Sequence, residues 1–89
     1  MLKKEILMKD EETMDLEYDL LCDFIKFRHD HNLTQDKMSK DSGVMREVIA
    51  AIETRRRSPQ VVTLIKLLKP YGYTIGIKKI EEGEINESR

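Results

Sequence analysis

The chain has one cysteine, Cys22, among its 89 residues, so it can form no internal disulfide and a reducing cytoplasm is the expected compartment. It has no apolar run near the ~20 residues of a membrane span. Ile6, Leu7 and Met8 follow the basic pair Lys3-Lys4, but Lys9-Asp10-Glu11-Glu12 interrupts them at once, so no signal-peptide core is expected. There is no glycine-rich loop to cradle phosphate, no nucleophile paired with a base, and no carboxylate pair in an obvious pocket. An enzyme is not expected, nor any cofactor. His29 and His31 lack a cysteine or third histidine spaced to complete a metal site, which leaves them as helix-end residues. No internal repeat or second domain is visible. The last absence is the most telling: from Arg55 to Lys79 there is no aspartate or glutamate.

That run carries seven Lys or Arg in 25 residues, while the chain around it is acidic. Residues 1–32 hold five basic against nine acidic side chains, 33–54 three against four, and 80–89 one against four. The net charge of −1 therefore hides a strongly polarised molecule. Polarity of this kind concerns partners rather than fold, and a dense basic run suits nucleic-acid phosphate. Apolar residues at 39% and charged residues at 37% fit one small helical domain, near the size at which a core only just suffices.

Residues 1–13 are mostly charged and read as a flexible N-terminal segment, and 81–89 as an acidic tail; the domain is 14–80. From Met14 to His31, Leu16, Leu20, Leu21, Phe24, Ile25 and Phe27 recur mostly at three- and four-residue spacing, which predicts an amphipathic helix. Thr34 is a good cap for a short helix from Gln35 to about Ser42, and Gly43 fits its left-handed stop. A third helix runs from Arg46 to about Thr54, burying Val48, Ile49 and Ile52. Two short helices joined by a glycine-containing turn are the helix-turn-helix pattern. After Ser58-Pro59 a fourth helix covers about Val61 to Lys69, ended early by Pro70. Tyr73 to Ile80 alternates and is rich in β-formers, which predicts a strand; a lone strand needs a partner, most simply its own copy across a two-fold axis.

The spaced positions Leu33-Thr34-Gln35, Met38-Ser39, Ser42-Gly43-Val44, Ile49, Ile52-Glu53, Ser58-Pro59, Thr63-Leu64, Leu67 and Gly72 resemble the XRE, or phage-repressor (Cro/cI-like), helix-turn-helix family over roughly residues 20–77. The flanks, Glu17-Tyr18-x-Leu20 and Tyr71-Gly72-Tyr73-Thr74-Ile75-Gly76-Ile77, look like the HigA-type antitoxins. The resemblance implies an all-α, lambda-repressor-like domain of about five helices with a short C-terminal strand, Tyr73, Ile75 and Ile77 serving dimerisation. It also implies a structural ion pair between Arg28 and Glu53, double-stranded DNA with a palindromic operator as partner, and a ribonuclease toxin as a second partner. The expected function is an autoregulating repressor, the antitoxin of a toxin–antitoxin pair. A stand-alone phage or mobile-element regulator is one alternative, and a protein-binding module with the helix-turn-helix as scaffold is another.

Within that frame, Met45, Arg46, Glu47 and Ala50 are the candidate base readers. Arg46 can fork onto guanine N7 and O6 and Glu47 can accept from a cytosine amino group, or both are solvated surface charges. Gln35, Arg55, Arg56 and Arg57 are the candidate phosphate contacts, against the alternative of an ordinary exposed residue and a solvated charge run. Three departures from the family pattern stand out. Met45 replaces a usual Ser or Thr cap, Arg55 replaces a frequent Gly, and Ala50 and Ala51 stand where relatives often place polar readers, so specificity is expected to be modest or to lean on DNA shape.

Overall fold

The computed structural model describes residues 10–80; the expectations for residues 1–9 and 81–89 lie outside the described residues. Among the described residues the order is α1 (Glu11–Asp30), α2 (Gln35–Ser42), α3 (Arg46–Glu53), α4 (Val61–Leu68) and a 3-10 turn (Lys69–Tyr71). Four α-helices and a 3-10 turn are therefore present among the described residues.

α1 begins at Glu11, ahead of the expected Met14, because Asp10 caps it: its carboxylate accepts from the Thr13 N–H at 2.7 Å. That bond holds the Asp10 carboxyl below its ordinary range. Of the expected apolar stripe only Leu21 and Phe24 are buried; Ile25 and Phe27 pack partly, and Leu20 stays 39% exposed. Length explains this. The 20 residues of α1 rise about 30 Å, and the three helices that follow have 8 residues each. Cys22 is exposed, beside the stripe rather than in it.

α2 follows local chemistry closely. Thr34 Oγ1 accepts from the Lys37 N–H at 3.0 Å, and Gly43 ends the helix at φ 79°. Two serines then fix the turn into α3: Ser39 Oγ donates to the Val44 carbonyl at 2.6 Å, and the Val44 N–H donates to Ser42 Oγ at 3.1 Å. With Val44 buried by this turn, α3 places Ile49 and Ile52 in the same core as Met38 of α2 and Leu64, Leu67 and Leu68 of α4. Pro70 has no N–H for an α-helical bond, so the chain tightens into the 3-10 turn and reverses at Gly72, φ 84°. Tyr71 secures this turn to α2 by donating to Asp41 Oδ2 at 2.8 Å. Burial and the neighbouring carboxylate push its phenol up to about 12.

The expected strand at Tyr73–Ile80 is not formed: the segment has no regular secondary structure. The Tyr73 N–H closes back on the Leu68 carbonyl at 3.2 Å, and no neighbouring strand lies within the described residues to build a ladder. Its side chains are nonetheless placed. Tyr73 meets Phe27 edge-on at 4.8 Å and His31 at 5.5 Å, Ile75 packs on the core, and Ile77 is fully exposed.

One ion pair ties α1 to α3. Arg28 donates from Nε to Glu53 Oε2 at 2.7 Å, from Nη2 to Oε1 at 2.9 Å, and from Nη1 to the Leu33 carbonyl at 2.8 Å. The two side chains are 11% and 8% exposed. Replacing Arg28 by Ala leaves the Glu53 carboxylate buried without its partner, so urea unfolding is expected to show a loss of about 3 kcal/mol or more. Arg28→Met with Glu53→Leu removes both charges and is expected to recover much of that loss.

Candidate nucleic-acid interface

With Ile49 and Ile52 buried, Val48 packed beside them and Glu53 held by Arg28, α3 leaves Arg46 and Glu47 exposed. Met45, Arg46 and Glu47 are exposed, Met45 at 63%, and Ala50 is half-buried beside them. These four form a short row at the start of α3 with one cation, one anion and two apolar contributors. Met45 occupies the cap position in an extended conformation and makes no side-chain cap bond, as its residue type implies.

Two polar neighbours converge on this row from α2. Gln35 turns inward, its Nε2 donating to Glu53 Oε1 at 3.0 Å, so it extends the Arg28–Glu53 network to the start of α2. An amide nitrogen carries two hydrogens, and the second remains for another acceptor. Asp36 meets Arg46, with Oδ1 3.1 Å from Nε. The sequence pattern did not single out Asp36. Its one available signal is that Asp36 lies in the first turn of α2 and Arg46 opens α3, and the turn brings these two helix starts together.

The three consecutive arginines are all exposed but diverge. α3 ends in a left-handed cap: the Arg55 N–H donates to the Ile52 carbonyl at 3.0 Å and the Arg56 N–H to the Ala51 carbonyl at 2.9 Å. Arg55 takes the left-handed position at φ 64°, where glycine is the unstrained residue. Its guanidinium lies 4.9 Å over the Tyr18 ring of α1, an interaction that offsets part of that strain. Arg56 Nε donates to Thr54 Oγ1 at 3.2 Å, and Arg57 lines a shallow cleft with Val48, Pro59 and Thr63. Tyr18 is the second residue that sequence reasoning did not assign, because nothing in its spacing links it to a position 37 residues on.

Comparison with known proteins identifies the family. A helix-turn-helix family model matches residues 25–78. An uncharacterised HTH-type transcriptional regulator of Haemophilus influenzae is 34% identical over 73 residues, covering 80% of this chain and 74% of the relative. Another, from Methanocaldococcus jannaschii, is 39% identical over 49 residues, covering 55% and 74%. Among solved structures, a chain of a toxin–antitoxin module from Streptococcus pneumoniae superposes with a TM-score of 0.61 at 30% identity, covering 86% of this chain and 88% of that one.

The uncapped start of α3 generates a stability prediction. Met45→Ser supplies the missing acceptor for the first-turn N–H groups, and thermal melting is expected to report a gain of about 1 kcal/mol.

Proposed function

Because the chain belongs to the XRE-type helix-turn-helix family, matched over residues 25–78, we propose that it is a sequence-specific DNA-binding repressor of transcription. The observation that carries this reading is the row of exposed Met45, Arg46 and Glu47 with half-buried Ala50, on a helix whose opposite side is locked into the core by Ile49 and Ile52. A helix so held enters the major groove as a rigid edge, with Arg46 on guanine and Glu47 on a cytosine amino group. Gln35 contacts phosphate with its second amide hydrogen, and Arg56 and Arg57 hold the backbone beyond α3. Arg55, stacked on Tyr18, contributes long-range charge rather than a free side chain. The protein acts in the cytoplasm; no helix among the described residues is long and apolar enough to cross a membrane.

Its role is that of an autoregulating antitoxin, neutralising a ribonuclease toxin made with it. The support is the likeness to a chain of a toxin–antitoxin module, at 30% identity and near-complete coverage of both. A palindromic operator needs two copies, with recognition helices about 34 Å apart. The segment Tyr73–Ile80, which has no regular secondary structure, supplies the dimer interface, pairing with its own copy and covering Ile77.

Binding to a labelled duplex from the gene's own upstream region, against scrambled DNA at two salt concentrations, tests the proposal. Tight, selective, salt-sensitive binding is expected, with selectivity lost in Arg46→Ala. Equal, weak binding to both duplexes would remove DNA reading as the function. Arg56→Gln with Arg57→Gln is expected to weaken both duplexes alike. It is also expected to flatten the salt dependence by about 0.9 units for each phosphate no longer neutralised, counted over both copies. For the dimer, Ile77→Asp is expected to shift sedimentation from two copies to one while leaving the helical circular dichroism unchanged. A wild-type protein that sediments as a monomer at micromolar concentration would refute the dimer itself.

A further inference from the structure

Arg46 opens α3, and its nearest charged neighbour is not on its own helix. Asp36, in the first turn of α2, brings Oδ1 to 3.1 Å from Arg46 Nε. A guanidinium is a planar fork, and the nitrogen that is engaged fixes the direction in which the others point. The ion-pair contact is made at Nε, and among the described residues no hydrogen bond engages the two terminal nitrogens. That terminal pair is what spans the N7 and O6 of a guanine.

Asp36 carries a second consequence. It stands next to Gln35, on the helix start that would approach the DNA backbone, and it is 82% exposed. A carboxylate there opposes phosphate on any duplex, whatever its sequence. In the free protein the pair is largely screened, since Arg46 is 60% exposed as well. Once DNA displaces the surrounding water, the same pair acts through a lower dielectric and constrains Arg46 more strongly. A correct base satisfies the remaining donors of the fork, whereas a wrong one leaves the carboxylate's repulsion uncompensated. Specificity is a difference of affinities, and here one residue both supports the right base and penalises the wrong one.

We propose that Asp36 is a specificity-determining positioning residue that aims the Arg46 guanidinium at a base edge and suppresses binding to unrelated DNA. The inference rests on the reading of Arg46 as a base contact. It also accounts for how a reading row weakened by Ala50 and Ala51 still discriminates.

The test uses the full chain and two probes, the upstream duplex and its scrambled counterpart. Wild type, Asp36→Asn, Asp36→Glu, Arg46→Ala and the double variant Asp36→Asn/Arg46→Ala are each titrated. Asp36→Asn is expected to bind scrambled DNA more tightly, and its upstream-to-scrambled ratio is expected to fall about five-fold, the low end of what one bidentate base contact is worth. Asp36→Glu keeps the carboxylate and is expected to retain the ratio. In the Arg46→Ala background the Asn substitution is expected to leave the ratio unchanged. If Arg46→Ala lowers the ratio but Asp36→Asn does not, the positioning role is overturned while the reading of Arg46 survives. A fall in melting temperature of Asp36→Asn without a change in ratio would likewise overturn it, reducing Asp36 to a charge at a helix end. If Arg46→Ala leaves the ratio intact, the base contact fails, and the role of Asp36 fails with it.

Discussion

Arg28 and Glu53 lie 25 residues apart in sequence, and their pairing joins the end of α1 to the end of α3. The same guanidinium holds the Leu33 carbonyl before α2, and the same carboxylate accepts from Gln35 at its start. Three helices therefore share one part-buried polar junction. Such a pair is weak evidence for net stability, because desolvation consumes most of its Coulomb attraction. Its consequence is geometric. Removing either partner strands a charge, so alternative packings of α3 against α1 are disfavoured even where the apolar neighbours would tolerate them. The edge of α3 on which any reading depends inherits its orientation from this junction.

The helix ends supply the second constraint. Among the described residues, four left-handed ones, Asn32, Gly43, Arg55 and Gly72, redirect the chain at the ends of successive helices. Two are glycine and one is asparagine, which tolerates the conformation through its short polar side chain. Arg55 is the exception, and its strain is local to the end of α3. The cap hydrogen bonds from Arg55 and Arg56 and the stacking on Tyr18 are what keep it there. The long N-terminal half of α1, which exceeds what the core can cover, thus has a structural use: it reaches the far end of the helix-turn-helix unit and holds its least favourable residue.

Where the sequence was legible, the reason was local chemistry. α2 was readable to its ends because a threonine cap and a glycine stop act within four residues of themselves. The start of α1 was not, since Asp10 stands in Lys9-Asp10-Glu11-Glu12 and a capping carboxylate there resembles any other acid. Ile75 of the expected strand does pack on the core, but alternation carries no information about which strand, if any, completes the ladder. The Arg28–Glu53 pair was reached through family likeness, because spacing of 25 residues has no helical or strand period to flag it. The Asp36–Arg46 pair escaped for a similar reason: it depends on the angle between two helices, which Ser39, Ser42 and Val44 set through hydrogen bonds that composition does not reveal.

The seven cations between Arg55 and Lys79 do not all meet the same surroundings. Lys78 and Lys79 line the same groove as Asp19 and Asp23 of α1, so part of the acidic excess of the first helix offsets the basic end of the run. Arg55 is stacked on Tyr18. Arg56 and Arg57 remain beside the end of α3, and Arg46 at its start is matched by Asp36. On the proposed reading, the surface offered to DNA is therefore only moderately positive. A strongly basic face would hold any duplex tightly and make a few base contacts irrelevant to the choice among sites. On that reading, limiting the background lets a small row, with one arginine fork and one carboxylate, decide where the protein rests.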